Sequence, residues 1–333
     1  MGASTPTFAS KIGRLRRVPT NGVELDVWDV GHGPTVLLLH GFPECRHSWR
    51  HQVPVLVDAG YRVLVPDQRG YAHSSAPQGD VRAYSILQLV ADQVGLLDAL
   101  GIGQAVVVGH DWGAHVASHF AMLRPARVRA IVQLSVPYRT TPWGTPLPTV
   151  LFAGVAGPGR RTYLGYFQDE GVAERAFDVD VARVLRAFFV GASGDTPADE
   201  RLPIVFADDV AFLDACPDYG DRLPGWLTAE DFATYVEAFT ASGFHGPIAW
   251  YRNYDANHRA TAFLRGAFVR QPALYLGGAE DVGAPMVQAA YDALERSMPG
   301  LRHKAILPGA GHWLQQEAPD AVNEALLGFL RDL

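Results

Sequence analysis

Gly109-His110-Asp111-Trp112-Gly113 follows an apolar run, Ala105 to Val108, and precedes a helical pattern, Ala114 to Leu123. Strand, sharp turn and helix come in that order, and glycines two positions either side of Asp111 let the backbones converge where a Cβ would clash. Such an elbow holds its middle residue out as a nucleophile, and that residue is usually serine. Aspartate narrows the chemistry. A carboxylate attacking a carbonyl gives an anhydride, a poor route to ester cleavage, whereas attack on a saturated carbon gives an alkyl ester that water can hydrolyse. The substrate must then offer an electrophilic sp³ carbon, as a strained epoxide or an alkyl halide does. The competing role for Asp111, a helix N-cap, leaves the glycines and the preceding strand unexplained.

Hydrolysing that ester needs a base, a residue to orient it, and donors for the oxyanion. The base is predicted to be His312 in Gly309-Ala-Gly-His-Trp313, just beyond the last strand, because catalytic groups in open α/β sheets gather at the strands' C-terminal edge. Its orienter is predicted to be Asp281, which ends Leu276-Gly-Gly-Ala-Glu-Asp281, with the adjacent Glu280 as the rival. The order nucleophile, acid, histidine is the one this kind of elbow carries. The oxyanion donors are predicted to be the amide of Trp112 and that of Phe42 in the loop His40-Gly-Phe-Pro-Glu44. In this scheme the oxyanion forms on the enzyme's own carboxylate. His47, His51, His73, His115 and His119 have no comparable setting and read as polar or packing residues. No clustered His/Asp/Glu spacing supports a metal site, and no cofactor is expected.

The elements that position these groups are legible as alternating strands and helices. A hairpin opens the chain, with a run ending at Val18, a turn at Asn21-Gly22 and a second run Val23 to Val30. Apolar runs follow at Thr35 to Leu39, Tyr61 to Val65, Ala105 to Val108 and Ala130 to Leu134, each with a helical pattern after it. Ala273 to Leu276, Lys304 to Leu307 and a helical stretch Pro319 to Leu330 close the sequence. Strands buried on both faces imply an α/β fold with a mostly parallel sheet. Residues 139–258 differ, being rich in aromatics and short helical patterns and poor in strands. They are predicted to form a helical cap inserted into a core of residues 1–138 and 259–333.

Composition agrees with an enzyme of this kind. The 333 residues are 48% hydrophobic and 19% charged, with 34 Gly and 23 Pro, which argues against disorder and fibrous repeats. A net charge of −7 disfavours nucleic acid, and the one basic run, Lys11 to Arg17, reads as a solvated strand face. The apolar stretch around Val150 to Ala156 falls short of the roughly 20 residues that span a bilayer. The start MGASTPTFAS shows no export signal, and Pro6 breaks the myristoylation pattern. Cys45 and Cys216 form no framework. The expected setting is the cytoplasm, with no membrane partner.

With HGFPE, DQRGY and GHDWG in place, and GYRVLVPDQRGYAHSSAP between the first and the third, the chain resembles the α/β-hydrolase-fold epoxide hydrolases over nearly its whole length. The resemblance implies two cap tyrosines that hydrogen-bond the epoxide oxygen. Arg161 to Glu174 looks like the first tyrosine segment and Trp250-Tyr251-Arg-Asn253 like the second, which carries the role to Tyr163, with Tyr166 as rival, and to Tyr251. Phenols suit the task because a donor with pKa near 10 can protonate an alkoxide while staying neutral at pH 7. His40, Trp112 and Trp250 are expected to contact substrate, an apolar or aromatic epoxide, and a homodimer is left open. Two departures stand out: Ala114, where the family usually has a second glycine after DWG, and Asp169 in the cap loop.

Haloalkane dehalogenases share the fold and the aspartate, and Trp112 sits where their halide-binding tryptophan does. They usually carry a side-chain donor such as Asn after HG, where this chain has Phe42, and they lack the paired tyrosines. Fluoroacetate dehalogenases call for an arginine in the elbow, where Trp112 stands. A catalytically silent ligand-binding homologue is the third alternative, and the intact nucleophile, base and acid set argues against it.

Overall fold

The computed structural model describes residues 14–333, so Lys11 of the basic run and the N-terminal residues read above lie outside the described residues. Strands β1 (Arg14–Thr20) and β2 (Val23–Val30) pair as the expected antiparallel hairpin. They are followed by β3 (Thr35–Leu39), β4 (Arg62–Pro66), β5 (Ala105–His110) and β6 (Val128–Leu134). A short ribbon of β7 (Arg160–Thr162) and β8 (Val205–Ala207) stands apart, and β9 (Ala273–Gly278) and β10 (Leu301–Leu307) complete the main sheet. Its eight strands run in the order β1-β2-β4-β3-β5-β6-β9-β10, antiparallel through the β2–β4 pair and parallel beyond.

The central strands are apolar without a break because both faces of the sheet are covered. Successive side chains alternate between the two cores, as a period of two requires. Leu37, Leu39 and Val107 pack into one, which holds the Ile86–Ala99 and Trp112–Leu123 helices. Val36, Leu38, Val106 and Val108 pack into the other, closed by Val322, Leu326 and Phe329 of the Pro319–Arg331 helix. Burying each such side chain stabilises the fold by roughly 1.5–3 kcal/mol. The parallel strands all end on one edge, and that edge carries the site.

Between β6 and β9 the chain leaves the sheet. It forms the Pro148–Ala156, Val181–Gly191, Ala229–Ser242, His245–Arg252 and Tyr254–Ala260 helices, with the β7–β8 ribbon among them. These elements seat on the core through aromatic rings. Phe42 meets Phe167, Phe188, Phe244 and Tyr251 edge-on, with ring centroids 5.1 to 6.4 Å away. T-shaped contacts of this kind add specificity to plain burial. Among the described residues no helix is long and apolar enough to cross a membrane.

Candidate active site

Asp111 lies between β5 and the Trp112–Leu123 helix with φ 50° and ψ −117°, a conformation that a side chain rarely adopts and that marks stored strain. The elbow forms because nothing but backbone fits around it. A Cβ on Gly109 would collide with Gly113, one on Gly113 with Leu39, and one on Gly41 with the Asp111 carboxylate itself. Asp111 does not cap the helix. Its Oδ1 instead accepts the Phe42 N–H at 2.9 Å, which removes the N-cap explanation. Burial raises the Asp111 pKa, opposed by the charges of His312 and His110 and by the N–H groups of Phe42 and Trp112. Both predicted oxyanion donors therefore act on the same carboxylate.

His312 faces the other carboxylate oxygen, with Nε2 3.8 Å from Oδ2 of Asp111, and its Nδ1 lies 3.0 Å from Oδ2 of Asp281. Burial pulls the imidazole pKa down, but the Asp281 charge and hydrogen bond, followed by the Asp111 and Glu44 charges, outweigh it and hold the ring up at about 9. Asp281 is fixed in turn by the Gly283 N–H at 2.8 Å. Glu280 points elsewhere, pairing with Arg201 at 2.8 Å. The loop carrying His312 is tied to the cap, since the His312 N–H donates to the Ala192 carbonyl at 3.0 Å. Glu317 gathers the N–H groups of Gly194, Gly311 and Trp313 at 2.8 to 2.9 Å.

Tyr163 opens the short helix Tyr163–Tyr166, whose N-cap Thr162 accepts the Gly165 N–H, and Tyr251 sits in the His245–Arg252 helix. Their rings are 6.5 Å apart, and neither phenol makes a hydrogen bond among the described residues. Both line one cavity with Phe42, Asp111, Val282 and His312. Burial raises both phenol pKa values, and the Asp111 charge adds to it. Tyr166 is elsewhere, under the Arg161 guanidinium at 4.8 Å and against Phe206.

Two expected substrate contacts do not lie in this cavity. His40 is fully buried, with Nδ1 2.9 Å from the Gly41 carbonyl and Nε2 accepting the Gln68 N–H at 3.0 Å, so it braces the loop. Trp250 is also fully buried and donates Nε1–H to the Arg69 carbonyl at 3.1 Å. It backs the wall, meeting Trp112 edge-on at 5.7 Å. Trp112 itself has a buried Nε1 without a partner among the described residues.

Several residues of the site were not singled out from sequence. Tyr254, one helical turn beyond Tyr251, lies 5.0 Å from the Trp112 ring, and after burial the charges of Tyr163 and Asp111 raise its pKa. Its spacing in Trp250-Tyr-Arg-Asn-Tyr254 was the available signal. Glu44 is fully buried, and its carboxylate takes the Gly41 N–H, His110 Nδ1 at 2.7 Å and the side-chain amides of Gln315 and Gln316. The signal there was its place in HGFPE. Among the described residues no group of His, Cys, Asp or Glu could hold a metal ion.

Known proteins share the sequence and fold of this chain. Residues 34–168 match a family model described as alpha/beta hydrolase fold. Epoxide hydrolase A of Mycobacterium tuberculosis is 42% identical over 96% of this chain and 97% of its own, and epoxide hydrolase B of the same organism is 38% identical over 90% and 92%. Among solved structures, epoxide hydrolase A from Mycobacterium thermoresistibile superposes with a TM-score of 0.88 at 44% identity, covering 96% of this chain and 98% of that one. An epoxide hydrolase from an endophytic Streptomyces gives 0.89 at 40% identity, covering 96% and 94%.

Proposed function

The chain belongs to the α/β-hydrolase-fold epoxide hydrolases, and we propose that its reaction, the opening of an epoxide by water to a vicinal diol, runs through a covalent ester at Asp111. The observation that carries this reading is that one cavity is lined by the strained carboxylate, the histidine and two unengaged phenols. Oδ1 of Asp111 is held by the Phe42 N–H, which leaves Oδ2 to attack one epoxide carbon. As that C–O bond forms, the ring C–O bond breaks, and Tyr163 and Tyr251 hydrogen-bond the departing oxygen and give it a proton. A water then loses a proton to Nε2 of His312, which Asp281 orients, and attacks Cγ of Asp111. The oxyanion on Oδ1, held by the amides of Phe42 and Trp112, collapses as the Cγ–Oδ2 bond breaks; His312 gives its proton to the departing diol oxygen, and the proton left on the new carboxyl returns through solvent to the phenolate.

The remaining walls, among them Phe188, Leu202, Ile204 and Val282, favour an apolar or aromatic epoxide. Residues 139–258 serve as the cap in this scheme, its last residue lying within the Tyr254–Ala260 helix so that cap and core meet in a helix. The free thiols of Cys45 and Cys216 fit the reducing cytoplasm as the place of action. In a single turnover in heavy-oxygen water, label should enter the Asp111 carboxylate. Label found only in the diol sinks the covalent route.

The unpartnered Trp112 Nε1 favours a second reading, halide capture by a haloalkane dehalogenase. Offering an aryl epoxide and a bromoalkane in parallel separates the two. Diol without halide supports the first, and halide without diol the second.

A further inference from the structure

His312 sits in a seat that is built in part by the cap. Residues 192–201 follow the Val181–Gly191 helix and run beside the loop that carries His312. The His312 N–H donates to the Ala192 carbonyl at 3.0 Å, and the Gly194 N–H reaches Oε2 of Glu317 at 2.8 Å. Arg201, at the far end of the stretch, pairs at 2.8 Å with Glu280, the neighbour of Asp281. One piece of cap thus ties down the loops of both His312 and Asp281.

Glu317 joins the two sides. Its Oε2 takes the N–H of Gly194 from the cap and, at 2.9 Å, the N–H of Gly311 from the His312 loop, while Oε1 takes the N–H of Trp313 at 2.8 Å. The residues on either side of His312 are therefore anchored on one carboxylate, and the third N–H on it comes from the cap. Closing the turn from Trp313 to Glu317 would account for Oε1 alone. Burial raises the Glu317 pKa, opposed by those three N–H groups and then by the His312 charge. From the core side Ser135 Oγ donates to the His312 carbonyl at 2.7 Å, so cap and core grip the same residue.

Two glycines record how closely the loops meet. Neither Gly194 nor Gly311 has a positive φ, so backbone conformation does not call for glycine at either place. Close approach does. A Cβ on Gly194 would stand 2.5 Å from the Gly309 carbonyl oxygen and 2.6 Å from the Gly311 nitrogen, and one on Gly311 would stand 2.3 Å from the Gly194 nitrogen. These neighbours are backbone and cannot rotate aside, so a methyl on Gly194 must part the loops by roughly half an ångström.

We propose that Glu317 and Gly194 are positioning residues for His312, through which the cap holds the base in register for hydrolysis of the Asp111 ester but not for its formation. The inference rests on the covalent reaction proposed above. Ester formation draws on Asp111, Tyr163 and Tyr251, and among the described residues none of the three hydrogen-bonds to residues 192–201. Misplacing a reacting group by about 1 Å can cost roughly 10²-fold, so a shift of about half that should cost on the order of ten-fold.

The test follows both half-reactions in the full chain, with enzyme in excess over a short aryl epoxide, reading alkylated protein by intact mass and diol by chromatography. In Gly194→Ala and in Glu317→Gln, ester formation should stay within about two-fold of wild type while ester hydrolysis slows on the order of ten-fold. Glu317→Gln is nearly isosteric and turns an amide N–H toward one of the three donors, so it decides alone where Gly194→Ala does not fold. A merely structural role slows both steps together or lowers only the melting temperature. Equal slowing of the two steps, or ester hydrolysis at the wild-type rate, in Glu317→Gln or in folded Gly194→Ala overturns the proposal. His312→Gln is the reference: if neither it nor the wild type ever shows alkylated protein, the covalent reaction itself has failed and this role falls with it.

Discussion

Asp111→Asn should change the titration of His312 more than it changes the fold. The variant keeps the volume of the side chain and removes one negative charge 3.8 Å from Nε2. Two unit charges at that separation interact by about 4 kcal/mol at an effective dielectric constant of 20. At 1.36 kcal/mol per unit this is roughly 3 pKa units as an upper figure. The wild-type ring stands at about 9 and is protonated at neutral pH. In the variant it should titrate between roughly 6 and 7, the Asp281 pair alone holding it near its ordinary value. The assay is a pH titration of ¹³C-labelled histidine followed by NMR, with His312 assigned by its loss in His312→Gln. A His312 that still titrates above 8 in Asp111→Asn, or that titrates near 6.5 in the wild type, refutes the reasoning.

The shift matters because esterification of Asp111 removes the same charge. In the proposed mechanism the resting imidazolium pairs with the Asp111 carboxylate and cannot take a proton from water. On that mechanism, once Asp111 is a neutral ester His312 should become a base at pH 7, so that activation of the second step is coupled to completion of the first. Single-turnover hydrolysis of the ester should therefore rise with pH through the lower value and not through about 9.

His312→Gln should still be alkylated but should hydrolyse the ester slower by roughly 10² to 10⁴-fold, the usual share of general-base catalysis; intact-protein mass spectrometry after mixing should show one epoxide mass added per chain, and an unmodified protein would count against Asp111 as nucleophile. Tyr163→Phe and Tyr251→Phe should each slow ester formation by about ten-fold, the double variant more, since a donor to the departing oxygen is lost; unchanged alkylation rates in both would remove the phenols from the mechanism. Stability should also carry the His312 signature. Its folded pKa is raised from 6.5 to about 9, so its contribution is complete below 6.5 and is lost as pH rises through about 9. Melting temperatures of wild type and His312→Gln should converge between pH 7 and pH 10, and a gap that stays constant would show that the proton is not held by the fold.

What could be read from sequence was what is encoded locally. The elbow was legible because its glycines are required by backbone contact within a few residues, and the sheet because strands covered on both faces are continuously apolar. β4 begins one residue later than the apolar run, since the Tyr61 N–H closes the preceding helix onto the Leu56 carbonyl. β10 begins three residues earlier, since Leu301, Arg302 and His303 lie on an edge strand that is half solvated and carries no apolar signal. The choice between Glu280 and Asp281 was beyond sequence because neighbours at a strand end diverge, and only the fold brings Arg201 to one and His312 to the other. His40 was misread as a substrate contact because its motif lies at the site while its ring turns inward to bind backbone.

The buried pair of Glu44 and His110 explains how the nucleophile's strand and the base's loop keep their spacing. His110 immediately precedes Asp111, and its Nδ1 meets the Glu44 carboxylate at 2.7 Å while its Nε2 meets the His312 carbonyl at 2.8 Å. Both ring nitrogens are thus engaged, one with the carboxylate and one with backbone, so removing either partner would strand a buried polar group. Glu44 is held from four sides, by His110, by Gly41 next to Phe42, and by Gln315 and Gln316 from the turn that follows His312. Gln316 in turn accepts from Arg50 at 2.5 Å and from the hydroxyl of Tyr235 on the Ala229–Ser242 cap helix at 2.9 Å. A continuous set of hydrogen bonds thus joins the cap, the oxyanion loop, the nucleophile's strand and the base's loop. The 3.8 Å between His312 and Asp111 is fixed by that set and not by any bond between the two residues themselves. In the proposed mechanism a gap of this size leaves the carboxylate free to swing onto an epoxide carbon, while His312 stays where the hydrolytic water would later be activated.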